Sequence, residues 1–137
     1  MLSDEDVKGL RKACEAALKN AYAPYSRFRV GAAVLTKSNR VFSGCNVENA
    51  SYPVSICAER AAIASAMSAG EREFRAFGIL SQSSAPCPPC GMCRQAISEF
   101  GEDILIYLFL PKRDHIIYRI SELLPHSFGA DFLNEKK

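Results

Sequence analysis

The residues best suited to do chemistry are cysteines, six of them at uneven spacing: Cys14, Cys45, Cys57, Cys87, Cys90 and Cys93. Three lie within seven residues, as Cys87-Pro88-Pro89-Cys90-Gly91-Met92-Cys93, and Cys57 stands two residues before Glu59. Clustered cysteines in a reducing compartment point to metal binding or redox chemistry rather than to structural bridges. Cys57-Ala58-Glu59 opens one predicted helix and Cys90-Gly91-Met92-Cys93 opens another. A thiol at a helix N-terminus lies near unpaired N–H groups and the positive end of the dipole, which favour the metal-binding thiolate. Two such starts brought together supply three thiolates. Structural zinc normally takes four protein ligands, whereas three plus a water is the catalytic pattern. Glu59 is placed to reach that water without binding the metal.

Cys87 poses a question of register, because Cys87-Pro88-Pro89-Cys90 is also a C-x-x-C. Pro88 and Pro89 have no N–H, so this pair cannot be cradled by consecutive amides. Cys90-Gly91-Met92-Cys93 keeps its donors and leads into a helix, which favours Cys90 and Cys93 and leaves Cys87 as a bystander or a weaker alternative ligand. Two plainer readings stand beside this one: a redox dithiol, which calls for a thioredoxin-like βαβ setting, and a closed four-cysteine zinc that includes Cys87. Glu59 by itself reads as a solvated helix-face carboxylate. Cys14 falls on an apolar helical stripe and reads as a small buried hydrophobe. Cys45 lies in a strand without an evident partner, and His115 and His126 lack ligand spacing.

The elements that must position these residues follow from periodicity and punctuation. Val7, Leu10, Cys14, Ala17, Leu18 and Ala21 recur at helical spacing behind an N-cap at Ser3, which predicts a helix over 4–20. Ala23-Pro24-Tyr25-Ser26 stops it. Arg29 to Thr36 and Val41 to Asn46 form a predicted hairpin around Lys37-Ser38-Asn39-Arg40. An ordered loop with Tyr52-Pro53 leads to a helix over Cys57 to Ala69, closed by Gly70. A strand over Phe74 to Leu80, a Ser/Pro loop and a helix from Met92 to Phe100 come next. Two strands, Ile104 to Leu110 and His115 to Ile120, flank a turn at Pro111-Lys112-Arg113-Asp114; a short helical turn at Ser121 to Leu124 and a tail complete the chain. Five strands interleaved with helices predict an α/β fold: a mixed five-stranded sheet in a three-layer α-β-α sandwich, with residues 1–137 as one domain.

Composition narrows the function classes. Apolar residues make up 48% and charged residues 23%, a globular mixture rather than a disordered one. No apolar run approaches the roughly 20 residues of a membrane span. The start Met1-Leu2-Ser3-Asp4-Glu5-Asp6 is acidic and lacks the basic and apolar regions of a signal peptide, so the expected compartment is the cytoplasm. A net charge of +2 carries no polyanion-binding signature.

Taken with their neighbours, Cys57-Ala58-Glu59-Arg60 and Pro89-Cys90-Gly91-Met92-Cys93-Arg94-Gln95 make the chain resemble the cytidine deaminases of the short, homotetrameric type. The resemblance extends over nearly the whole chain, through Ala23-Pro24-Tyr25-Ser26 with Phe28, Val30-Gly31-Ala32-Ala33, Gly44-Cys45-Asn46-Val47-Glu48-Asn49-Ala50, Tyr52-Pro53, and Glu122-Leu123-Leu124-Pro125 with Ser127-Phe128-Gly129. It implies one zinc ion per subunit on Cys57, Cys90 and Cys93, and Glu59 as proton shuttle in the hydrolytic deamination of cytidine and deoxycytidine, a step of pyrimidine salvage. Asn46 and Glu48 match residues that hold ribose hydroxyls, Phe28 an aromatic against the pyrimidine, and the Ala58 backbone a group that reads the base edge. Arg60 matches an arginine that bonds ligand thiolates, and Phe128 an aromatic that reaches a neighbouring subunit's site. Ordinary packing also accounts for Phe28 and Phe128, and a turn residue and a solvated acid for Asn46 and Glu48. Cys87-Pro88 matches no requirement of the family.

Other classes remain distinguishable. A polynucleotide deaminase needs a basic groove, and the chain offers Lys112-Arg113 and scattered charges. A deaminase of nucleoside antibiotics matches Asn46 and Glu48 less readily. A structural zinc module predicts a saturated metal and no ultraviolet change on mixing with cytidine.

Overall fold

A computed structural model describes residues 1–112 and 114–134; Arg113, half of the basic pair noted above, and the tail end 135–137 lie outside the described residues. Helix α1 (Asp4–Lys19) starts where the Ser3 hydroxyl accepts the Asp6 N–H at 3.1 Å. Acids in its first turn and Lys19 in its last match the helix dipole. Its buried stripe is Leu10, Cys14 and Ala17. The hairpin of β1 (Val30–Thr36) and β2 (Val41–Cys45) leads through a 3-10 turn, Tyr52–Val54, to α2 (Ala58–Ser68). Gly70 ends α2 in the left-handed region at φ +93°, where glycine has no Cβ to clash. The remaining elements are β3 (Phe74–Ser81), α3 (Gly91–Ser98), β4 (Leu105–Phe109), β5 (His115–Arg119), α4 (Ile120–Leu123) and α5 (Ala130–Leu133).

The five strands lie in the order β2-β1-β3-β4-β5. Only the β3–β4 pairing is parallel among the described strands, and α3 is its crossover, so the sheet is mixed. Alternation along the strands serves two apolar layers. Ala33, Leu35, Ala76, Leu80, Tyr107 and Phe109 pack with Leu10 and Cys14 of α1. Val34, Phe77, Ile79, Ile106 and Leu108 pack on the other side with Ala66 of α2, Ile97 of α3 and Ile120. The three-layer expectation therefore matches the fold. No helix among the described residues is long and apolar enough to cross a membrane.

The differences from the sequence expectation have identifiable causes. The segment before α2 is pinned by isolated bridges, Tyr22 to Val47 and Val47 to Ile56, which join distant residues and leave no periodic trace. Residues of the expected tail form α5. Helix α3 begins at Gly91 and stops at Ser98, short of Gly101, the residue expected to end it.

Candidate active site

Two helix starts meet in the structure. Cys57 is the N-cap of α2 and Cys90 the N-cap of α3, both with extended backbone, and Cys93 lies in the first turn of α3. Their three sulfur atoms lie within 4.8 Å of one another, and Cys57 Sγ is 3.9 Å from Cys90 Sγ. Tetrahedral zinc with bonds of about 2.3 Å separates its thiolates by about 3.8 Å, so this donor set fits that ion. Cys87 is not one of the group; it is half-buried and packs against the apolar cluster under α2 and α3. Cys14 is fully buried, as its place in the stripe of α1 implies.

The three thiols titrate unequally. Cys57 is held down to about 5 by a hydrogen bond from Cys93, helped by Arg60 and Cys90, against the opposing effect of burial. Cys93 is driven well up, because it gives that hydrogen bond and is itself buried. Arg60 Nη2 lies 3.7 Å from Cys57 Sγ, and the Cys57 sulfur, with Cys93 beside it, in turn holds the guanidinium proton more tightly. Arg60 Nε is buried and has no acceptor among the described residues, so this side chain serves the sulfurs at the expense of its own hydrogen bonding. Three thiolates around a bound dication would leave a charge of −1, which the Arg60 cation and the two helix N-termini are placed to offset.

Glu59, in the first turn of α2, is only 5% exposed. Burial raises its carboxyl to about 7, and the negative charge of Cys57 adds to the effect. A carboxyl near neutrality is suited both to take and to give a proton at physiological pH. Ala58, the residue between Cys57 and Glu59, is fully buried and packs with Ala32 and Ala62.

The segment carrying Phe28 is held from two sides. Asn46 Nδ2 donates to the Phe28 carbonyl at 2.8 Å, and Asn46 Oδ1 accepts the Val30 N–H at 2.8 Å. Gln82 Nε2 donates to the Arg27 carbonyl at 2.8 Å, and its Oε1 accepts the Arg29 N–H at 2.9 Å. Arg27, at the start of this clamped segment, has φ +57°, unusual for a non-glycine residue. Phe28 itself remains 39% exposed. Glu48 accepts the N–H groups of Tyr25 and Ser26 at 2.9 and 3.0 Å, and the Ser26 hydroxyl as well. Those bonds lower its carboxyl, the hydroxyl most. A cavity of about 340 Å³ opens here, lined by Tyr25, Ser26, Glu48, Asn49, Tyr52 and Ser55.

Phe128 stands apart from these residues in the C-terminal segment, exposed and stacked on Phe132 at 5.4 Å between ring centroids. Its carbonyl accepts from Gln95 Nε2 at 2.9 Å. Sequence analysis gave no role to Ser26, Gln82, Arg94 or Gln95. Ser26, Arg94 and Gln95 stand inside the quoted motifs, but Arg94 and Gln95 bond distant backbone carbonyls, which no residue pattern names, and Ser26 meets Glu48 only through the fold.

Comparison with known proteins agrees with this geometry. Residues 3–109 match the cytidine and deoxycytidylate deaminase zinc-binding region. The chain is 43% identical over 131 residues to a cytidine deaminase of Halalkalibacterium halodurans, covering 95% of this chain and 99% of that one. It is 38% identical over 138 residues to a cytidine deaminase of Mycobacterium tuberculosis, covering 99% of each. The crystal structure of cytidine deaminase from Burkholderia pseudomallei superposes with a TM-score of 0.85 at 42% identity, covering 93% of this chain and 100% of that one. With the motif, the fold and the meeting of the cysteine helices in agreement, the chain belongs to the cytidine and deoxycytidylate deaminase family.

Proposed function

We propose that the protein is a zinc-dependent hydrolase that converts cytidine and deoxycytidine, with water, to uridine and deoxyuridine plus ammonia, as a step of pyrimidine salvage. The observation that carries the reading is the meeting of Cys57, Cys90 and Cys93 at two helix starts beside the buried Glu59. Those cysteines hold one zinc ion per subunit. The chemistry zinc supplies when bound is Lewis-acid activation of water near neutral pH. Glu59 takes one proton from the attacking water and delivers it to N3 of the pyrimidine; it then takes the remaining proton from the new C4 hydroxyl and gives it to the amino group, which leaves as ammonia as the C4 carbonyl forms. Phe28 packs against the pyrimidine, and the Ala58 backbone reads its edge.

Asn46 and Glu48 hold the ribose hydroxyls. Both already bond the backbone, yet a carboxylate has about four lone-pair positions, and an amide keeps a second proton and lone pair for a ligand. Glu48→Ala is expected to lower kcat/KM for cytidine by up to about 10²-fold, the worth of a charged hydrogen bond. Free cytosine should suffer only the loosening of the Tyr25–Ser26 turn, so equal losses on cytidine and cytosine count against the ribose role.

Arg60 offsets the thiolate charge. Arg60→Ala should weaken zinc retention about 10–100-fold, measured by competition with a chelator, or shift the pH–rate profile. Unchanged zinc content together with an unchanged profile would sink that role.

The proposed assembly is a homotetramer in the cytoplasm, each subunit a single domain over 1–137, with Phe128 entering a neighbour's site. The exposed Phe128, Phe132 and Leu133 support it, whereas Leu123 is half-buried against the subunit's own core. Zinc stoichiometry on the purified protein, combined with a deamination panel of cytidine, deoxycytidine and single-stranded RNA, tests the whole reading. One zinc per chain with turnover of the nucleosides alone is expected. A zinc-loaded protein inert to both nucleosides overturns it.

A further inference from the structure

The three sulfurs of the cluster are not equally well held. Cys93 is buried within α3, and Cys57 lies against the Arg60 guanidinium. Cys90 is exposed, makes no side-chain capping bond to α3, meets Cys57 Sγ at 3.9 Å, and follows Pro88 and Pro89, which have no N–H to anchor the loop. The approach to Cys90 must therefore be held through carbonyl groups. Arg94 takes both carbonyls that bracket this residue: its N–H donates to the Cys90 carbonyl at 2.9 Å, and its Nε donates to the carbonyl of the buried Pro89 at 2.8 Å. Its Nη1 donates at 2.8 Å to the carbonyl of Leu123, the last residue of α4, where helical carbonyls lack partners. One half-buried guanidinium thus joins the loop before Cys90 to the C-terminal part of the chain.

We propose that Arg94 is a positioning residue for the metal site, fixing Cys90 through the Pro89 carbonyl and making metal affinity depend on the seating of α4. The inference rests on the reading that the three cysteines hold zinc. It extends that reading to a residue that touches neither sulfur nor substrate. The planar guanidinium suits the task because its rigid fork presents Nε and Nη1 to acceptors from two segments at once. A lysine ammonium is a single point donor on a flexible stem.

The test uses the full chain with two readouts. One is zinc affinity, by competition with a chromophoric chelator. The other is the rate of iodoacetamide alkylation at each cysteine after zinc removal, resolved by peptide mapping. Arg94→Met, which keeps the aliphatic stem, should weaken zinc binding about 10–100-fold and speed alkylation at Cys90 relative to Cys57 and Cys93. Arg94→Lys should fall between it and the parent, and it carries the test if Arg94→Met does not fold. Gln95→Leu, which breaks the neighbouring bond to the Phe128 carbonyl, should leave both readouts at the parent values. Parent-like zinc affinity in both Arg94 variants, an equal loss in Gln95→Leu, or uniform acceleration at all three cysteines overturns the inference while the zinc site stands. A parent protein that binds no zinc overturns both.

Discussion

Glu59→Gln is expected to give a folded, zinc-loaded protein whose turnover of cytidine has fallen by roughly 10³-fold or more. Glutamine keeps the shape of the side chain, so the first turn of α2 and the seat of Cys57 at its N-cap are undisturbed. What disappears is a group that exchanges a proton. That group is used more than once in the proposed reaction, on the water, at N3 and at the departing amine, so the loss reaches every proton-transfer step. The position also lacks a substitute, since Glu59 is the only buried carboxylate among the described residues. Zinc content measured alongside turnover separates this result from loss of a ligand. Cys57→Ala, by contrast, should lose metal and activity together. Near-normal turnover by a zinc-loaded Glu59→Gln protein would be fatal to the proton-shuttle assignment.

The second large effect lies away from the chemistry. Gly44 in β2 faces the start of α2 so closely that an added Cβ would lie 2.4 Å from the Ala62 nitrogen and 2.7 Å from the Ala58 carbonyl oxygen. Both are backbone atoms, so no side chain can swing aside and the helix itself must move. Gly44→Ala is therefore expected to cost about 1–3 kcal/mol or more in stability and to weaken zinc binding, because the displaced turn carries Cys57 and Glu59. Gly91→Ala is the informative contrast. Gly91 sits inside the cysteine motif, yet an added Cβ there meets nothing within 4 Å, and alanine is the better helix former. Its melting temperature should match or exceed the parent's. Comparable destabilisation by the two substitutions, read from thermal melts, would refute the packing argument.

Much of the molecule was legible before any coordinates. The strands, the helices and the two helix starts bearing cysteines follow from short-range rules: an apolar stripe along α1, a serine cap, a glycine stop and strand-forming runs separated by turns. Proline chemistry separated Cys87 from its neighbours, and the structure leaves Cys87 outside the sulfur cluster. The bridges through Val47 and the α5 turn escaped because they depend on distant backbone partners or on very short segments.

By itself, then, the sequence determined which thiols sit at helix N-termini and which carboxylate follows one of them, since caps and periodicity act over a few residues. Only the tertiary structure decided that the two helix starts meet, that Glu59 is enclosed and its carboxyl raised to about 7, and that Gly44, unlike Gly91, has no room for a methyl. It also decided that Arg94 reaches both Pro89 and Leu123. Each of these depends on how α2 and α3 lie on one face of the sheet. That placement is set by the burial of many distant apolar side chains together, and no local pattern of residues encodes it.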